Sequence, residues 1–233
     1  MLPAPTFAEY AAALETVDCD VQRFLLREEK DFAVTDGFVD AIDDSTDAVF
    51  LCQPNNPTGQ VTPLVMVQKL LRRCADCGAV LVVDECFNDF LTDAERHTRK
   101  DLLESNPGLI ILRAYTKMYA VPGVRFGWCM TADAALIEKL YHAGQPWNVS
   151  VIAQACAAAA ANEPDWATET AKRIAEERRF LSDGLAACGL TVFPGEANFL
   201  LFRSNDTGLH EKLAEHGIMI RNCDNYRGLS AGY

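Results

Sequence analysis

Basic residues are in short supply. The 233-residue chain has 21 Lys and Arg against 33 Asp and Glu, a formal net charge of -12. That balance argues against nucleic acid or an anionic membrane as a partner, because both demand basic surface. It leaves room for a phosphorylated ligand, which one or two placed arginines can hold. Long apolar runs are also missing: nothing approaches the ~18 consecutive apolar residues of a membrane span. The opening stretch, MLPAPTFAEYAAALE, lacks a basic segment followed by an apolar core, so no secretory signal is expected. No histidine stands at zinc spacing from a cysteine pair, and neither internal repeats nor low-complexity linkers are seen.

Nine cysteines are present, an odd and scattered set. Without a secretory signal they are expected to be reduced thiols in a cytoplasm. The one CxxC, Cys74 to Cys77, reads either as a metal or redox pair or as two small apolar residues on a helix, and the second reading is preferred. Hydrophobic residues make up 49% and charged residues 23%, ordinary for a globular chain that buries one large core, or one core with a small satellite.

The apolar pattern places buried strands at Ala48–Cys52, Ala79–Val83 and from Leu109 to Leu112, each a continuous run with no polar alternation. Helices are expected over Pro5–Thr16, Asp36–Ile42, Pro63–Cys77, Leu102–Asn106, Ala132–Tyr141 and Val151–Ala161, with strands at Val21–Leu26 and Phe126–Met130. Gly78 is the stop signal of the Pro63 helix. Apolar strands alternating with helices imply an α/β fold, a mostly parallel sheet with helices on both faces. In such sheets ligands bind beyond the carboxyl ends of the strands. Three of those ends carry polar clusters, at Asn56, Asp84 and Lys117. Beyond Gly144 the character changes to a long charged helix, Asp165–Cys188, then strands at Thr191–Phe193 and Asn198–Phe202, a helix at Gly208–His216 and a strand at Ile218–Arg221. The expected division is a large domain over residues 1–163 and a connecting helix with a small α+β domain over 164–233.

The stretch AYTKMYAVPGVRFGW, Ala114 to Trp128, is where chemistry concentrates. A lone lysine at the exit of a buried strand is costly unless it is paired or chemically used. Thr116 precedes Lys117, and Arg125 follows across a Pro122-Gly123 turn. A hydroxyl and a guanidinium are the groups that hold a phosphate, and a lysine beside an anchored phosphate suggests a pyridoxal 5'-phosphate site. Each residue alone has an ordinary reading: a surface lysine, an aspartate capping a strand end, a simple NPTG turn, a core Phe7.

Three motifs in order, NNPTG (Asn55–Gly59), VVDECFNDF (Val82–Phe90) and TKMYAVPGVRFGW (Thr116–Trp128), resemble the signatures of the class I/II aminotransferases, the fold-type I pyridoxal phosphate enzymes. PAPTFAEY, DECF and TKMYAVPGVR look most like the L-threonine-O-3-phosphate decarboxylases of that family, with the histidinol-phosphate aminotransferases next. The resemblance implies a Schiff-base lysine at Lys117, a partner for the pyridine nitrogen at Asp84 and a donor to the phenolic oxygen at Asn56. It further implies phosphate ligands at Thr116 and Arg125, a ring-stacking aromatic at Phe7 and a small packing residue at Cys86. It implies a small-molecule amino acid or amino-acid phosphate as substrate and a homodimer as the assembly.

Two positions depart from the common pattern. Phe87 stands where many aminotransferases have a tyrosine hydroxyl, which leans toward the decarboxylase-like members, and Ala114 replaces a frequent serine. Family members also usually carry a further segment before PAPTF, with a phosphate-holding glycine loop, and a carboxylate-gripping arginine shortly beyond a segment like Arg227–Tyr233. The chain is therefore expected to be a piece of a longer protein. Decarboxylation, amino transfer and a non-catalytic remnant stay open.

Overall fold

The computed structural model describes residues 1–233, apart from the side chain of Pro164. The elements in order are β1 (Leu2–Ala4), α1 (Glu9–Glu15), β2 (Arg23–Leu25), α2 (Asp36–Asp40), β3 (Ala48–Cys52), α3 (Leu64–Cys77), β4 (Val80–Asp84), α4 (Ala94–His97), β5 (Leu109–Ala114) and β6 (Gly127–Met130). They continue with α5 (Ala134–Ala143), α6 (Val151–Ala161), α7 (Pro164–Ala187), β7 (Thr191–Val192), β8 (Phe202–Arg203) and α8 (Leu209–Glu215).

The main sheet has the order β3-β4-β5-β6. The first three strands are parallel, and β6 returns antiparallel to β5, pairing Ala114 with Gly127. The sheet is thus mixed, its parallel part three strands wide. The connection from β5 to β6 has no crossover helix, only turns that include a 3-10 turn at Pro122–Val124, and a chain that turns back without a crossover can pair only antiparallel.

Alternation along the strands sorts the two faces. Val49, Leu51, Leu81, Val83, Leu109 and Ile111 enter one core with Phe38 and Ile42 from the α2 region and with Val67, Leu70, Leu71 and Cys74 of α3. That helix presents its apolar residues at i, i+3, i+4 and i+7, and each fully buried Val or Leu contributes roughly 1.5–3 kcal/mol. Cys74 of the CxxC is one of these core residues. On the opposite face, Phe50 and Cys52 meet Tyr10 of α1.

Several expectations change in the folded chain. Residues Leu2–Ala4 form a strand rather than leading a helix; they pair in parallel with β2, and α1 begins only at Glu9. A 3-10 turn at Lys100–Leu102 stands in place of a helix at Leu102–Asn106. The expected C-terminal sheet shrinks to the two-residue pair β7-β8. No strand forms at Ile218–Arg221, where Met219 is 90% exposed. The extra pairing beside β8 goes instead to the last residues: Ser204 N donates to Gly232 O at 2.8 Å, and a strand without a partner does not persist in water. A second core joins Phe193, Leu201 and Cys223 to Leu26 and Phe32, so the C-terminal stretch docks on the first part of the chain. Among the described residues no helix is long and apolar enough to cross a membrane.

Candidate active site

Parallel strands of matched register bring their carboxyl ends to one edge. Cys52 pairs with Asp84, and Asp84 with Leu112, so Asp84 sits at the centre of that edge, between the loops after β3 and β5. A cleft of about 350 Å³ opens there, and Phe7, Asn56, Asp84, Cys86, Thr116, Lys117 and Arg125 all line it. The structure therefore brings together every residue that the sequence singled out.

The first motif is locked by a buried amide. Asn55 Nδ2 donates to Pro5 O at 3.0 Å and to Thr58 Oγ1 at 2.9 Å, while its Oδ1 accepts from Thr6 Oγ1 at 2.8 Å. The loop after β3 is thereby tied to the PAPTF segment, which sets Asn56 and Phe7 at the same cleft. Behind the loop, a Cβ on Gly195 would stand 2.9 Å from Thr58 O, so only glycine allows that approach.

Asp84 is held by both oxygens. Its Oδ1 accepts from Cys86 N at 2.9 Å and its Oδ2 from the Tyr10 hydroxyl at 2.7 Å. Two thiols lie beside it. Burial, with the charge of Asp84 adding to it, pushes the Cys52 thiol up to about 12, and Cys86 is raised by the same causes. Both stay neutral next to the carboxylate.

The neighbouring Glu85 is fully buried and serves a different purpose. It accepts from Thr98 Oγ1 at 2.7 Å, from Arg99 N at 2.6 Å and from Arg113 Nη1 at 3.1 Å. Arg113 also pairs with Asp89, and Arg99 Nη2 donates to Thr62 O at 2.9 Å. This network ties the ends of β4 and β5 to the loop after β3. Within it, Arg99 Nε and Asn88 Oδ1 lack a partner among the described residues.

Lys117 is exposed, just past the exit of the buried strand. The chain leaves the sheet at Ala114, so Lys117 sits in the following turn and not in the strand. Its Nζ lies 5.6 Å from the centroid of the Phe87 ring, a cation–π contact of about 0.5–1 kcal/mol at an exposed site. Arg125 is likewise exposed and adopts a left-handed backbone with φ 61°. One of its guanidinium N–H groups donates to Pro122 O at 3.0 Å, closing the turn on itself. Trp166 of α7 fastens the lysine loop from outside, its Nε1 donating to Met118 O at 3.0 Å.

Sequence reasoning missed Tyr10, Cys52, Tyr226 and the Phe87 contact. Tyr226 reaches Asn56 Oδ1 only weakly, at 3.5 Å. Tyr10 stands three residues after Phe7, at the start of α1, and the two rings meet edge to face at 5.4 Å. Tyr226 had no local signal, since it lies far along the chain.

A carboxylate, an amine, an amide, a hydroxyl and a guanidinium converging beyond the ends of parallel strands define a site for a small anionic ligand with a polarisable centre. The family model for aminotransferase class I and II matches residues 1–227, and the chain belongs to that family. Among individual relatives, the chain is 35% identical to a threonine-phosphate decarboxylase of Salmonella typhimurium, over 100% of this chain and 64% of that protein. It is 31% identical to a histidinol-phosphate aminotransferase of Nitratidesulfovibrio vulgaris, over 82% of this chain and 51% of that protein. The crystal structure of a histidinol-phosphate aminotransferase from Clostridium acetobutylicum superposes with a TM-score of 0.93 at 26% identity, covering 99% of this chain and 70% of that one. The chain thus spans between half and two thirds of the length of these two sequence relatives.

Proposed function

We propose that this chain carries the cofactor-binding core of a pyridoxal 5'-phosphate-dependent enzyme, and that the whole protein decarboxylates an amino-acid phosphate of the L-threonine-O-3-phosphate type. The observation that carries the reading is the meeting of all seven residues in one cleft. The donor set fits the cofactor: an aromatic heterocycle with a ring nitrogen, a phenolic oxygen, an aldehyde and a phosphate needs a carboxylate, an amide donor, an amine and a phosphate clamp.

In this reading Lys117 would hold the cofactor at its aldehyde through Nζ and would hold or move a proton at the substrate α-carbon. The Asp84 carboxylate receives the N–H of the ring nitrogen and keeps it charged. Asn56 turns its amide toward the phenolic oxygen. Thr116 and Arg125 take the phosphate, one as a hydroxyl donor and the other as a planar fork. Phe7 covers one ring face and Cys86 the other. When bound, the cofactor supplies an electron sink for the pair left at the α-carbon as a bond there breaks.

Decarboxylation is favoured over amino transfer by two observations. The decarboxylase relative matches the whole chain at the higher identity, and Phe87 brings a ring but no hydroxyl to the cleft. The close superposition on a histidinol-phosphate aminotransferase supports amino transfer as the second reading. The small α+β portion over 164–233 and a homodimer of the whole protein belong to the same reading.

Adding pyridoxal phosphate, reducing with borohydride and mapping the peptides tests the site. The label is expected on Lys117 and is lost in Lys117→Ala; a label on another lysine, or on none as a non-catalytic remnant would give, overturns the assignment. Supplying threonine phosphate to the full-length protein should release carbon dioxide. Transfer of the amino group to or from a 2-oxo acid would decide for the aminotransferase instead.

A further inference from the structure

We infer that Tyr10 is a positioning residue for Asp84: its hydroxyl fixes the carboxylate as an anion in one orientation and thereby keeps the proton on the cofactor's ring nitrogen. The inference rests on the pyridoxal phosphate reading of the cleft and deepens it.

The geometry is specific. Tyr10 is 8% exposed, and its Oη stands 2.7 Å from Asp84 Oδ2. The phenol is gripped on both sides, tilted by 30° against Phe50 at 5.4 Å and edge-on to Phe7 at 5.4 Å. The other carboxylate oxygen is taken by Cys86 N. With one donor on each oxygen, the carboxylate cannot rotate without breaking a bond, and each oxygen keeps a lone pair for a further N–H.

The chemical character of the donor matters as much as its place. A cation on Asp84 would neutralise the charge that has to face the ring nitrogen. A neutral phenol orients the carboxylate and stabilises its ionised form while leaving the negative charge in place. The groups around it fit that role. Cys52 from β3 and Cys86 after β4 are thiols held neutral by burial. The nearby cation Arg113 is engaged with Glu85 and Asp89. Lys117 lines the same cleft, at the position assigned to the aldehyde. Burial first, then the neighbouring Cys52 and Asp84, raise the phenol's own pKa well above the ordinary value, so it remains a donor across the working pH range.

Removing the hydroxyl therefore has a signed consequence. Asp84 loses a bond that favours its charged form and so holds the N–H of the ring nitrogen less firmly. It also becomes free to rotate.

The test uses the full-length protein and its Tyr10→Phe variant, loaded with pyridoxal phosphate carrying ¹⁵N in the ring. The substitution keeps both ring contacts, so the packing of α1 is retained; thermal unfolding of the cofactor-free proteins checks this. The ¹⁵N resonance of the variant is expected to move toward the unprotonated position. The cofactor dissociation constant is expected to rise by about tenfold, as for loss of one hydrogen bond to a charged group. Borohydride should still label Lys117 in both proteins. A variant labelled at Lys117 whose resonance and affinity match the parent within about twofold overturns the role of Tyr10. Failure to label Lys117 in the parent overturns the reading of the cleft, and with it the role given to Tyr10.

Discussion

Replacing Arg113 by Met is the sharpest perturbation of the frame beneath the cleft. The Arg113 side chain is 18% exposed, Asp89 19% and Glu85 0%, so the pair with Glu85 is desolvated on the carboxylate side. Burial works against the charge of Arg113, but Asp89 and Glu85 outweigh it and raise its pKa. Breaking a buried pair from one side costs about 3–5 kcal/mol when the remaining charge is left without partners. Here Glu85 keeps Thr98 and Arg99 N, and Asp89 retains some access to water, so the loss should fall to about 2–3 kcal/mol. That is a large share of the ~5–15 kcal/mol that holds a typical domain. Urea unfolding followed by circular dichroism reads it: with a slope of about 2–3 kcal/mol/M, the midpoint should drop by about 1 M. The double variant Glu85→Gln with Arg113→Met should recover part of the loss, because the stranded charge is gone. A midpoint shift in Arg113→Met below about 0.3 M, or strict additivity of the two substitutions, would refute the view that this network carries the strand ends.

Two further outcomes follow from burial and backbone geometry. Gly228 has φ +91°, and a Cβ there would stand 2.9 Å from Ala4 O; Gly228→Ala should cost about 1–3 kcal/mol by loosening the last residues from β1, and an unchanged urea midpoint would count against that contact. Burial raises Cys52 to about 12 and Cys74 to about 11 from an ordinary 9.0. Above pH 9 the unfolded chain releases protons that the folded chain retains, so stability is full below that pH and falls above it, by about 1.4 kcal/mol per pH unit for each thiol until its folded value is reached. Urea midpoints taken on either side of pH 9 check this, and Cys52→Ala should flatten the fall. A slope unchanged by that substitution would show that Cys52 titrates normally.

Much of the main sheet could be read from the chain because its strands are buried on both faces. Ala48–Cys52, Ala79–Val83 and Leu109–Leu112 carry no polar alternation, and α3 has both a periodic apolar face and Gly78 as its stop. The failures share a cause. Leu2–Ala4 is a three-residue strand flanked by prolines, and its pairing with β2 is a long-range event with no local pattern. Ile218–Arg221 has strand-like composition, yet composition does not supply a partner, and the last residues of the chain took the pairing. At the cleft, the residues at the strand tips were legible because motif order and strand ends coincide. Tyr10 was not singled out, since a tyrosine on a short amphipathic helix looks like any other core residue until its hydroxyl is seen to have a carboxylate to serve. The end of β5, placed at Leu112 by hydrophobicity, runs on to Ala114, because hydrophobicity does not tell where a chain turns out of a sheet.

The return of β6 alongside β5 has one more consequence. Because Ala114 and Gly127 face each other across the ladder, the excursion that carries Thr116, Lys117 and Arg125 leaves and re-enters the sheet through a single gate. The whole excursion can be treated as an interchangeable cassette: swapped between relatives at those two posts, it moves the amine and its phosphate clamp as one unit, provided that the graft keeps a carbonyl for Trp166 to bond.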